Sequence, residues 1–187
     1  MPHQNRVDPF GEIVAAPQRG RWMGNRGILH EGTTIVRPWQ HNHWIICETS
    51  YKGWWAPQWS PHRYTPLFFL DEAVALAAGH RPCALCRRAA YDAFVAAWPL
   101  SGERRDAIDR RLHRERRGDA HRRPWRELPV GAFAFLDGAP VRVDEEAVVP
   151  WTPAGYVASL SRPNRGDAAV LTPSSTVDAL SAGYRCS

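Results

Sequence analysis

Two cysteines separated by two residues, Cys83-Ala84-Leu85-Cys86, can turn both sulfurs toward one point, which is half of what a tetrahedral zinc site needs. Ahead of them, Gly79 permits a left-handed exit from a preceding helix, and Pro82 fixes one backbone dihedral on the way in. Arg87 and Arg88 follow directly and add positive charge that favours the metal-binding thiolate form. The same pair could be a redox couple or two inert thiols. A redox couple favours a β-α-β setting, which a Gly-His-Arg-Pro lead-in does not resemble. A closed zinc site needs two more donors, and Cys47 is the natural third. Cys186 is remote, so the fourth donor is expected to be a histidine: His30 first, then His43, then His80. His30 ends a glycine-rich stretch and can fold back across a hairpin toward Cys47. His43 precedes Cys47 by four residues, but on an extended strand that spacing is about 13 Å. His80 lies close to Cys83, yet a helix has just ended there.

The elements that must position these residues are short. Asp71 is the expected N-cap for a helix over 72–78, closed by Gly79. A second helix is expected over 87–98, with Tyr91, Phe94, Val95 and Trp98 at helical spacing. A third spans 103–117 with a narrow apolar stripe of Ile108 and Leu112. Strands are expected over 12–16, 33–37, 43–49, 67–70, 148–151 and 168–171. Residues 132–143 read as a hairpin turning at Asp137-Gly138. Residues 1–11 read as a loose arm. Residues 19–30, with Gly20, Gly24, Gly27 and Asn25, read as a loop whose backbone approaches something closely, or as an ordinary turn-rich loop. A last helix, capped by Ser175 and ended by Gly183, repeats the 71–81 unit: cap, Ala-Leu pair, Ala-Gly and Arg coincide in both. Trp54, Trp55 and Trp59 could be a base-stacking platform, but tryptophan is mostly buried, so a core role is expected.

At 187 residues with 44% hydrophobic content, the chain is one domain or two lobes sharing a core. The expected class is α+β: small β units and short helices around a zinc knuckle (1–100), an Arg-rich helical segment (101–126), and a β-rich lobe (127–187) ending in a short helix. Four cysteines are too few for a disulfide framework at this length. No charged-apolar-small leader opens the sequence and no run of about 18 apolar residues occurs, so a cytoplasmic protein without a membrane span is expected. The net charge is +5. Residues 101–126 hold ten arginines against five acids and supply that whole surplus. Lys52 is the only lysine. Arginine forks grip phosphate and stack on bases, so nucleic acid is the expected partner, with Arg19, Arg21, Arg26, Arg87, Arg88, Arg110, Arg114 and Arg117 as candidate contacts. A solvated helix laced with internal salt bridges would carry the same charges.

The run Asp71 to Arg87 resembles the second half of the Ada-type zinc module of bacterial DNA repair, in which an acidic-capped helix leads through Ala-Gly-aromatic-Arg-Pro into Cys-x2-Cys. The likeness covers about 20 residues. It implies a four-ligand zinc knuckle in a DNA-binding setting, with Cys83 and Cys86 as ligands, and favours DNA over RNA. The family's upstream Cys-x3-Cys is matched here only by His43-x3-Cys47, so the resemblance does not carry methyl transfer with it.

Three functions remain open on these residues: a zinc-stabilised nucleic-acid-binding protein with a role in DNA repair, a zinc-dependent hydrolase acting on a nucleotide or nucleic acid, and a structural zinc protein with protein partners. A zinc deaminase would need a glutamate two residues after its upstream ligand. Gly32, His43, Ile45 and Thr49 occupy those places after His30, His41, His43 and Cys47. The phosphate-loop pattern of nucleotide triphosphatases is missing as well.

Overall fold

A computed structural model describes residues 2–187. Its elements are α+β in character and build two main sheets around shared helices. The first sheet draws on β1 (Gln4–Val7), β2 (Ile13–Ala15), β3 (Trp22–Asn25), β6 (Ile45–Cys47), β7 (Leu67–Phe69) and β8 (Arg81–Pro82), in the order β2-β1-β7-β3-β6-β8. Between them, β4 (His30–Glu31) and β5 (Thr34–Ile35) form a separate ribbon. The second sheet holds β9 (His121–Pro124), β10 (Phe133–Leu136), β11 (Ala139–Val143), β12 (Ala147–Thr152), β13 (Gly155–Tyr156), β14 (Leu160–Ser161) and β15 (Asp167–Val170). Its order is β13-β12-β11-β10-β15-β9, with β14 also on β12. The helices are α1 (Glu72–Ala77), α2 (Arg88–Ala96), α3 (Arg105–Glu115) and α4 (Ser174–Ser181).

Short α1 is buried along its whole length and touches β7 of one sheet and β10 of the other. A single apolar core runs through it, joining Leu67, Phe69 and Leu76 to Phe133, Val141 and Val170. The β-rich C-terminal lobe is therefore packed into the same core as the cysteine-bearing half. It also starts earlier than the sequence suggests: β9 takes residues 121–124 out of the expected helical segment and pairs them with β15.

Two stretches expected to be loops are strands. Residues 4–7 pair with β2 and run parallel to β7, because Asn5 and Val7 alternate inward despite the polar letters around them. Residues 22–25 form β3, a central strand. Gly24 there serves packing: a Cβ would stand 2.5 Å from the Phe69 ring. The expected hairpin over 132–143 is present, with Asp137 and Gly138 both at positive φ, as a two-residue type I′ turn requires.

The internal repeat is a repeat of helix-ending chemistry. After α1, Gly79 N donates to Leu76 O and His80 N to Ala75 O. After α4, Gly183 N donates to Leu180 O and Tyr184 N to Ala179 O. Each is a Schellman end with glycine at positive φ and an aromatic tucked beneath. Asp71 caps α1 as expected by accepting from Val74 N. Ser175 does not cap α4. Pro173 holds that position, and Ser175 instead donates its N–H and hydroxyl to Glu115 of α3.

Candidate metal centre

Strand pairing delivers the sulfurs. β6 and β8 run parallel with Ile46 opposite Pro82, and Cys83 N donates to Ile46 O at 2.9 Å. Cys47 and Cys83 thus leave adjacent strands side by side. A turn closed by Arg87 N to Cys83 O brings Cys86 back over them. The sulfurs of Cys47, Cys83 and Cys86 all lie within 4.8 Å of one another. The edge of a tetrahedral zinc–thiolate site is about 3.8 Å, so small adjustments close the set on one ion. Cys47 and Cys83 are buried in a small separate core with Met23 and Ala56, flanked by Tyr64 and Phe68; Cys86 is half-buried.

Backbone donors already face the sulfurs: Glu48 N reaches Cys86 Sγ and Leu85 N reaches Cys83 Sγ, both at 3.4 Å. The side-chain bonds from Cys47 and Cys86 hold the Cys83 thiol far below the ordinary thiol range, while hydrogen bonding to Cys83 pushes Cys47 well above it. Three sulfurs this close cannot all ionise without a cation among them. The donor set suits a soft divalent ion such as zinc.

Two buried ion pairs hold the knuckle from either side. Two residues before Cys83, Arg81 forks onto Asp109 of α3 at 2.8 Å through Nε and Nη2. One residue after Cys86, Arg87 forks onto Glu72 of α1 at 2.9 Å, and its guanidinium stacks 3.9 Å from the Trp22 ring. Glu72 also accepts from Tyr184 Oη and from the N–H and hydroxyl of Ser187. These acids were missed in the sequence, although the signal was there: Asp109 interrupts the Ile108–Leu112 stripe, and Glu72 sits inside an otherwise apolar helix. Arg87 serves this clamp and so is unavailable as a phosphate contact or as a charge for the thiolates.

None of the three histidines joins the sulfurs. His30 is buried with Nδ1 2.6 Å from Thr65 Oγ1 and its ring edge-on to Trp59, so the expected fourth ligand is engaged elsewhere. The β4–β5 ribbon does turn back, but it pairs with itself rather than with β6. His43 Nδ1 is 2.9 Å from Asp109 Oδ2. His80 is fully buried, with Nε2 accepting from Arg26 Nε at 3.1 Å. Among the described residues no other His, Cys, Asp or Glu completes the group. Cys186 packs against the main core, its thiol pushed up to about 12 by burial.

The candidate nucleic-acid contacts divide. Arg19, Arg21, Arg88, Arg110, Arg114 and Arg117 are exposed. Arg26, 1% exposed, is an interior residue that donates to Gly11 O and His80. Arg88 and Arg110 border a groove of about 610 Å³ with Ala84, Tyr91, Arg104 and Arg105. Arg88 pairs with Asp92 and Arg105 with Asp106; Arg104 and Arg110 form no ion pair among the described residues. Trp54 and Trp55 do not join a core: they are 48% and 64% exposed. A two-residue turn at Lys52-Gly53, both at positive φ, with Tyr51 and Trp54 bonded reciprocally, carries them to the surface. Trp59 is half-buried against His30 and His3.

No helix is long and apolar enough to cross a membrane among the described residues. Comparison with protein-family models, with curated proteins and with solved structures found no match.

Proposed function

We propose that this chain is a zinc protein that binds nucleic acid, DNA in preference to RNA, over the surface around its metal centre. Cys47, Cys83 and Cys86 would hold Zn2+, with a donor outside the cysteine set filling the fourth position. The metal would fix the turn between β8 and α2 and the loop over it. What carries the reading is the surroundings of the sulfur cluster. On one side Ala56 packs with Cys47 and Cys83 and anchors the loop that exposes Trp54 and Trp55. On the other, Ala84 of the knuckle borders the groove that holds Arg88, Arg104, Arg105 and Arg110. Exposed indoles stack unpaired bases, and unpaired arginines take phosphates. The likeness of residues 71–87 to the Ada-type module supports the same reading.

Fluorescence anisotropy with a labelled single-stranded DNA at two salt concentrations tests this. Trp54→Ala with Trp55→Ala should cost about 1–3 kcal/mol per stacked base and leave the salt slope intact. Arg104→Gln with Arg110→Gln should reduce the salt slope by about 1.4 for two lost phosphate contacts. Affinity that ignores salt and survives both pairs of changes would dispose of the proposal.

A further inference from the structure

Away from the cysteines, a cleft of about 520 Å³ opens between the two sheets, within the range of small-molecule pockets. It is bordered by the β1–β2 turn, the end of α1, the residues after α3 and the end of β15. Arg26 and Arg116 line it, each with its guanidinium carbon 3.7 Å from the Trp44 ring centroid. Neither forms an ion pair among the described residues. Arg26 spends Nε on His80 and Nη1 on Gly11 O, leaving Nη2 buried and without a partner. That nitrogen lies beneath Gly11, itself on the cleft wall. Arg116 spends its Nη atoms on Gly79 O, Asn42 O and His113, leaving Nε buried and unpartnered.

We propose that this cleft binds a small molecule carrying a phosphate or carboxylate group on a flat apolar body, with Arg26 and Arg116 receiving the oxyanion.

Two guanidinium groups stacked on one indole, each with a buried N–H that has no partner, are a costly arrangement for a protein that never offers them an anion. Burial pushes both down to about 9, and Arg116 adds to the effect on Arg26. The acids that act on them do so from a distance: Asp8 and Glu12 on Arg26, and Asp109 on Arg116, none in an ion pair with either arginine among the described residues. Glu115 is committed to Ser175, and Glu12 and Asp119 line the cleft without pairing to either arginine. Arg37 and Arg117 add positive charge at the walls. Apolar side chains stand among these charges: Phe10 and Val36 are about half exposed, and Trp39 is half-buried beside Arg117. An anionic head with an aromatic or aliphatic body fits both.

Calorimetry on the full chain with phenyl phosphate, benzoate and phenol tests this. Phenyl phosphate, benzoate or both should bind, and which of them binds distinguishes a phosphate from a carboxylate ligand. Phenol should bind at least about 10-fold more weakly, since it lacks the charge-assisted bonds. Arg26→Gln should weaken the anion by about 10-fold or more. If that variant does not fold, Val36→Glu at the exposed mouth should weaken the anion several-fold more than it weakens phenol. No heat from either anion up to about 10 mM, equal binding of phenol, or indifference to a folded variant would overturn the assignment.

Discussion

Replacing Glu72 by glutamine tests whether the cysteine turn is held from outside. The carboxylate is fully buried and accepts five hydrogen bonds: two from Arg87, one from Tyr184 and two from Ser187. Glutamine keeps the shape and one carbonyl oxygen. It removes the charge and turns an amide N–H toward groups that are themselves donors. The Arg87 guanidinium, with only 3% of its side chain exposed, would stay charged without its partner. Removing one member of a buried pair costs about 3–5 kcal/mol. With a urea slope of about 2–3 kcal/mol/M, the midpoint should fall by about 1–2.5 M. Because Arg87 follows Cys86 directly, metal affinity should also fall by about 10–100-fold, measured by competition with a chelator. Acid adds a signature. Burial raises the Glu72 carboxyl, but Arg87's hydrogen bonds and charge outweigh it, so the folded value lies below 4.5. Its contribution is complete above the unfolded value and is lost as pH falls through the folded one. That component of acid unfolding should vanish in the variant. A loss under about 1 kcal/mol with unchanged metal affinity would refute the clamp.

Gly79→Ala should cost more than about 1 kcal/mol, since its φ is +79° and a Cβ would stand 2.8 Å from Arg116 Cδ; thermal melts check this, and a neutral outcome would contradict the packing described. Burial, with help from Arg26 and Arg116, holds His80 far below 6.5, so the unfolded chain binds more protons below that pH. Stability should therefore decline as pH falls below about 6.5, by up to about 1.4 kcal/mol per unit, and His80→Gln should flatten that limb. Trp54→Ala and Trp55→Ala should leave the melting midpoint within experimental scatter, about 0.5 kcal/mol in stability, because both side chains are on the surface; a larger loss would mean that they are packed.

Elements with strong local signals could be read from the letters. Asp71 and Gly79 mark α1, Asp137-Gly138 marks the β10–β11 turn, and the spacing of Cys83 and Cys86 marks the pair that Cys47, the expected third sulfur, joins. What could not be read was decided by long-range partners. β1 and β3 carry polar or glycine-rich letters and become strands only because β7 lies between them. Arg26 and Arg87 look like surface cations until Trp44 and Trp22 stack on them and His80 and Glu72 meet them. Trp54 and Trp55 look like core and are carried outward by a two-residue turn whose first member is lysine. His30 was the natural fourth ligand by chain position, but Thr65, 35 residues away, holds it.

X-ray absorption on the purified chain, read with its zinc content, addresses the sulfur cluster most directly. One zinc per chain should appear, with three sulfur neighbours at about 2.3 Å and one lighter neighbour. Cys47→Ser should lower the sulfur count and Cys186→Ser should leave it unchanged. A folded, metal-free protein, or a zinc with fewer than two sulfurs around it, would contradict the assignment of Cys47, Cys83 and Cys86 as a metal centre.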